Sequence, residues 1–156
     1  MAFASALLAQ SQLPARSPVL EKACLESACF QMYAAYRLYL RELAQQYVLP
    51  DESFEDAEAL QQAFFQDQRI SPEVAELIEL LGRNGSWLSG LLRNYRLLFE
   101  RSGAGRSLSQ TPGSDVGGLI GTVQLSAESL SVEDLSGCLT SFQDVLQRQR
   151  QSMLEC

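Results

Sequence analysis

The sequence predicts an all-α fold, a compact helical bundle of about five to six helices with one long central helix. Three observations carry that prediction. Apolar residues recur at three- and four-residue steps over most of the chain. Ser-Pro pairs and single serines stand just ahead of several of these stripes, as helix starts. Strand-type alternation is nearly absent, and amphipathic helices with mostly short connections hide their stripes only against each other.

Residues 2–12 read as a short helix of small and apolar residues, stopped ahead of Pro14. Ser17-Pro18 is a stronger signal. A serine oxygen accepts from a free backbone N–H of the first turn, and a proline placed there has no N–H to waste. From that point to about Val48 no breaker occurs, which gives roughly 30 residues, or about 45 Å of helix. Its apolar positions are Leu20, Ala23, Cys24, Phe30, Tyr33, Tyr36, Leu40, Leu43 and Tyr47. From Tyr36 on they step by four, three and four, along one helical face. Met32 and Tyr39 widen the stripe, so this helix is expected to be touched on more than one side.

Leu49-Pro50-Asp51 ends the long helix. Ser53, with Asp56 three residues on, predicts a capping-box-like start for a helix with Ala57, Leu60, Ala63 and Phe64 inside. Ser71-Pro72-Glu73 repeats the start signal ahead of Val74, Leu77, Ile78 and Leu81. Gly82 to Gly85 is a break with Asn84-Gly85 as its turn. Ser86 then caps a helix striped by Leu88, Leu91, Leu92, Tyr95, Leu98 and Phe99. Between Ser102 and Gly118 the chain turns to Gly, Ser, Thr and Pro, which predicts a mobile loop at about 102–118. Leu119 to Leu125 stays open between helix and extended chain. Ser131 with Asp134 caps a last helix whose stripe is Leu135, Leu139, Phe142, Leu146, Gln149 and Met153.

At 156 residues the chain has the length of one ordinary domain, and no internal repeat divides residues 1–156. A domain of this size buries roughly 70% of its unfolded surface, so it needs neither disulfide nor metal to fold. Its apolar fraction of 46% and charged fraction of 20% are those of a globular protein.

The net charge of −7 is concentrated. Nine acids and one base, Arg69, fall between Asp51 and Glu79, so that segment carries −8 and the remainder +1. Such a balance repels phosphate backbones and anionic membranes, and nucleic-acid binding is disfavoured, although eleven of the twelve bases are arginine. No stretch is long and apolar enough to span a membrane. The apolar N-terminus lacks the basic start of a secretory signal.

Histidine is absent, which removes the usual near-neutral general base and the commonest transition-metal ligand. No catalytic residue stands out, and no metal or other cofactor is expected. Cys24, Cys29, Cys138 and Cys156 include no Cys-x-x-Cys pair. Cys24 and Cys29, five apart, point about 140° away from each other on a helix. They read as reduced, small apolar fillers, which places the chain in the cytoplasm. Cys156 is expected to be exposed.

Two segments carry a resemblance. Ser71-Pro-Glu-Val-Ala-Glu-Leu-Ile-Glu-Leu, followed by Gly85-Ser-Trp-Leu-Ser-Gly-Leu-Leu, resembles a family of small, functionally uncharacterised helical proteins from gammaproteobacteria. The helix over Phe30–Tyr47 and the Leu146-Gln-Arg-Gln-Arg ending are similar to the same group. The resemblance implies a helical domain of unknown function spanning most of the chain. It brings no catalytic residues with it.

Three constellations are candidates for function. Glu73, Glu76 and Glu79 are spaced i, i+3, i+6, and Glu55 with Glu58 repeats the step. Alternation with the apolar stripe predicts that they face water as a solubilising surface. An acidic docking face and an oxygen-ligand metal site are the other readings. Arg37 and Arg41 lie one helical turn apart among Tyr33, Tyr36 and Tyr39, and Arg93 and Arg96 flank Asn94-Tyr95. If the two helices face each other, guanidinium and phenol groups would grip a carboxylate or phosphate. The plainer reading has the tyrosines at the edge of the core and the arginines paired with Glu42 and Glu100. Trp87 is either a core anchor at the end of the bundle or an exposed hot spot for a partner.

Two functions follow as expectations. The first is a non-enzymatic protein-interaction module, with an unknown protein partner or a homodimer, docking through Glu55, Glu58, Glu73, Glu76 and Trp87. The alternative is a small-anion-binding or enzymatic bundle using Tyr33, Arg37, Arg41, Arg93 and Arg96.

Overall fold

Side-chain oxygens three residues ahead of each stripe set where the helices begin. In the computed structural model, which describes residues 1–14, 17–49, 54–103 and 130–154, Ser17 Oγ accepts from Leu20 N–H at 3.2 Å and Pro18 takes the first helical position. Ser71 repeats this geometry toward Val74, again ahead of a proline. Ser86 accepts from Ser89 N–H and Ser131 from Asp134 N–H. Six helices result among the described residues: α1 (Ala2–Ser11), α2 (Pro18–Gln46), α3 (Ala57–Gln66), α4 (Pro72–Gly82), α5 (Trp87–Gly103) and α6 (Val132–Leu154). The described residues hold no strand, so the fold is all-α as expected.

Two local expectations are corrected. The cap of α3 is Asp56, whose Oδ1 accepts from Ala59 N–H at 2.7 Å, and not Ser53, which lies outside the described residues. The Tyr36 hydroxyl adds a second acceptor at that start, 3.1 Å from Ala57 N–H, so a buried phenol of α2 fixes where α3 begins. Helix α5 runs through Gly103, so residues 102 and 103 belong to its last turn. The rest of the expected loop, together with Leu119–Leu125, Pro50 and Cys156, lies outside the described residues.

Helices α2 and α3 end alike. Leu49 N–H donates to Ala44 O and Val48 N–H to Gln45 O, which is a Schellman closure with Val48 at φ +54°. Arg69, Gln68, Phe64 and Phe65 repeat it on α3, with Gln68 at φ +56°. Both left-handed positions are held by side chains where glycine is usual, and Val48 is β-branched and exposed. Between α4 and α5 glycine does take this role: Gly85 sits at φ +79° in a turn closed by Ser86 N–H on Arg83 O.

Helix α2 is the central element and packs against α1, α3, α5 and α6. Its buried positions therefore go round the helix, including Cys24, Ala28, Cys29, Met32, Tyr36, Tyr39, Leu40 and Leu43. Cys24 and Cys29 are both buried despite pointing apart, because α2 is covered on more than one side. Cys29 and Cys138 are free thiols. Two apolar clusters fill the interior. One joins α2, α3, α4 and the ends of α5 and α6 around Tyr36, Leu60, Leu77 and Phe142. The other joins α1 to α2, α5 and α6 around Leu8, Met32, Leu91 and Leu135. Trp87 borders both, stacked on Phe142 at 4.8 Å between ring centroids. No helix among the described residues is long and apolar enough to cross a membrane.

Candidate functional site

The α2–α5 seam gathers aromatic rings that the core does not absorb. Tyr33 and Tyr95 stack with centroids 3.6 Å apart and planes 13° from parallel. Phe30 lies 6.1 Å from Tyr95 on one side, and Phe99 lies 5.0 Å from it on the other. Phe30 keeps 48% of its surface in water and Phe99 57%. Where this ladder meets the start of α3, an open cleft of about 530 Å³ is lined by Tyr33, Tyr36, Arg37, Glu55, Asp56, Glu58, Leu92, Tyr95, Arg96 and Phe99. Burial beside Tyr33 raises the Tyr95 hydroxyl above the usual phenol range, and the Arg37 guanidinium opposes that shift.

The cleft brings together charges that the sequence reading kept apart. Arg37 and Arg96 come from the arginine–tyrosine set, and Glu55 and Glu58 from the acidic set. Asp56 is occupied as the cap of α3. Among the described residues, no ion pair or side-chain hydrogen bond engages Arg37, Arg96, Glu55 or Glu58.

The remaining predicted residues are dispersed. Arg41 is exposed on α2 and lines neither this cleft nor the second one. Arg93, three residues before Arg96, faces a cleft of about 770 Å³ between the start of α5 and α6, with Asn84, Ser86, Ser89, Asn94, Glu133 and Asp134. Trp87 lines that second cleft too, but its ring is half-buried against Phe142. Its indole N–H is buried with no acceptor among the described residues, while its carbonyl accepts from the Cys138 thiol at 3.4 Å. Of the two acids expected to pair with the arginines, the Glu100 side chain lies outside the described residues. Glu42 is taken by Arg150 of α6 in a two-point contact, with Nε–Oε1 at 2.8 Å and Nη2–Oε2 at 2.5 Å.

Glu73 and Glu76 do not face open water, which corrects the solubilising-surface reading. Glu73 is only 8% exposed and accepts from the Tyr47 hydroxyl at 2.8 Å and the Ser71 hydroxyl at 2.6 Å. Glu76 accepts from Arg148 at 2.5 Å and from Gln149 Nε2 at 2.6 Å, both on α6. Gln149 is itself buried and takes the Tyr39 hydroxyl on its other end. The C-terminal half of α6 covers the face of α4 that periodicity assigned to solvent. Glu79 alone of the three stays outside, paired with Arg83 one turn along. Among the described residues, no group of three Cys, Asp or Glu side chains has the geometry to hold a metal ion.

The functional residues that sequence reasoning missed are Phe30 and Phe99 as exposed rings and the acids as neighbours of the arginines. A signal was present for the rings. Phe30, Tyr33 and Arg37 are spaced i, i+3, i+7, and Tyr95 and Phe99 i, i+4, so each set forms one face. No local signal places the start of α3 beside them.

No curated protein and no solved structure matches the chain. A family model does, over residues 2–156, and its description agrees with the helical domain of unknown function that the α4–α5 residues imply. The chain belongs to the family of unknown function DUF6586.

Proposed function

We propose that this chain is a non-enzymatic helical module that binds protein, and that it does so through the cleft between α2, α5 and the start of α3. One observation carries the reading: a stacked aromatic ladder open to solvent, bordered by charges of both signs that form no ion pair or side-chain hydrogen bond among the described residues. Protein interfaces are enriched in aromatic residues and arginine at their centres, and the energy concentrates in such rings when a partner excludes water from them. Rings that stay half in water forgo burial worth about 1.5–3 kcal/mol each when complete. A partner surface would recover it.

The same cleft weighs against the small-anion alternative. Two guanidinium groups are set beside three carboxylates, so a free phosphate or carboxylate entering would meet as much repulsion as attraction. The acidic docking face survives only in part. Glu55 and Glu58 are exposed at the cleft, whereas Glu73 and Glu76 are engaged inside the fold.

The test is site-specific photo-crosslinking in the native host, with a benzophenone side chain at Phe99 and, as control, at Val19. Val19 is exposed at the far end of α2. Protein adducts at position 99 that are absent at position 19 are the expected result. Equal labelling at the two positions, or none at 99, would refute the reading.

A further inference from the structure

We infer that the partner seated on this cleft is a second copy of the same chain, related by a two-fold axis. The inference rests on the interaction reading above and names its occupant. A symmetric dimer joins one patch to itself, so the patch must be self-complementary: apolar at its centre, with both charge signs displaced to different sides. The cleft has this composition. Its apolar part is the stack of Tyr33, Tyr95 and Phe99, which Phe30 extends beyond the lining. Its cations, Arg37 and Arg96, come from α2 and α5, while Glu55 and Glu58 come from the start of α3. A half-turn therefore sets the arginines of one copy against the acids of the other, and the reverse pair forms with them.

Partners of one charge sign fit less well. A basic peptide would satisfy the two acids and be repelled by the two arginines, and an acidic peptide the reverse. Several other charges on the described surface are already paired. Lys22 pairs with Glu26, Arg83 with Glu79, Arg148 with Glu76 and Arg150 with Glu42, and Arg69 donates to the Tyr47 carbonyl. Like charges facing each other across an interface exclude wrong partners. Here the same rule selects a surface with the opposite order of signs, which a rotated copy supplies.

Sedimentation equilibrium of the full chain, over roughly 1–500 µM, covers the range in which a micromolar to submillimolar dimer dissociates. Wild type should pass from one chain mass to two across that range. Arg37→Glu/Arg96→Glu makes the patch wholly acidic, and Glu55→Lys/Glu58→Lys makes it basic except for Asp56, which caps α3. Each variant should keep the wild-type circular dichroism spectrum and weaken self-association about tenfold or more. An equimolar mixture of the two should form a two-chain species again, because each supplies the sign that the other lacks. Wild type that stays at one chain mass overturns the inference. So does a dimer that ignores both reversals, or variants that do not recombine when mixed. The broader reading fails separately: a monomer whose position 99 crosslinks to a different protein still uses this cleft, but with another partner.

Discussion

Helix α2 presents two polar faces nearly half a turn apart, and the chain treats them in opposite ways. Toward α6 and α4, every charged or polar group named on the seam has found a partner. Glu42 holds Arg150, Tyr39 holds Gln149, Gln149 and Arg148 hold Glu76, and Tyr47 and Ser71 hold Glu73. Toward α5 and the start of α3, Arg37, Arg96, Glu55 and Glu58 stand within one cleft and form no ion pair or side-chain hydrogen bond among the described residues, beside rings left half in water. The same residue types serve both faces. What differs is whether the fold supplies the counter-group. A seam that is fully satisfied locks the register of α6 against α2 and α4, since a buried polar group without its partner costs about 1–3 kcal/mol. A cleft whose groups are unsatisfied has binding capacity left over.

Alkali should produce the largest effect, through buried groups of α2: Tyr39 on the satisfied seam, Tyr36 beneath the cleft, and Cys29. Burial raises the Tyr39 and Tyr36 hydroxyls well above the usual phenol range, and the acids around them add to it. Burial, with Cys138 nearby, pushes the Cys29 thiol from its ordinary value near 9 up to about 12. The folded chain keeps these protons while the unfolded chain has already released them, so the unfolded state binds fewer protons above about pH 9. Stability is therefore full below pH 9 and declines as pH rises from there toward 12. Melting curves across that window, with tyrosinate absorbance at 295 nm read in parallel, should show phenol ionisation of Tyr36 and Tyr39 coinciding with unfolding. A melting temperature that stays flat to pH 11 would contradict it.

A smaller loss should follow Gln149→Leu. The substitution keeps the volume but leaves the Tyr39 hydroxyl without its acceptor and removes one donor from Glu76. We expect a loss of about 1–3 kcal/mol in urea unfolding with the slope unchanged. A neutral result would mean that the seam is packing with incidental hydrogen bonds.

How much of this was legible in the sequence depended on the range of the interaction. Ser17-Pro18, Ser71-Pro72, Ser86 and Ser131 are local signals, since an oxygen and its N–H lie three residues apart, and all four helices start where these residues place them. Asp56 was assigned to the wrong position in the same kind of motif. Ser53 offered a competing cap at the right spacing, and the deciding contact, Tyr36 to Ala57, spans 21 residues. The fate of the acids was less legible still. Periodicity put Glu73 and Glu76 on a polar face correctly, but the residues that cover that face, Arg148 and Gln149, are more than 70 positions away. For the site, Tyr33 with Arg37 was readable on one helix. Arg93 and Arg96 were not separable, because they lie three apart on α5 and the neighbours that assign them to different clefts belong to α3 and α6.

The contrast between the two faces is tested most directly by reversing two acids on each and unfolding both proteins in urea. Glu55→Lys/Glu58→Lys touches groups with no ion pair or side-chain hydrogen bond among the described residues, and with Glu58 in the first turn of α3 stability should stay within about 1 kcal/mol of wild type. Glu73→Lys/Glu76→Lys puts cations against the Tyr47 and Ser71 hydroxyls, Gln149 and Arg148, and should cost at least about 3 kcal/mol or prevent folding. Equal losses in the two proteins, or a larger loss at Glu55 and Glu58, would contradict the account.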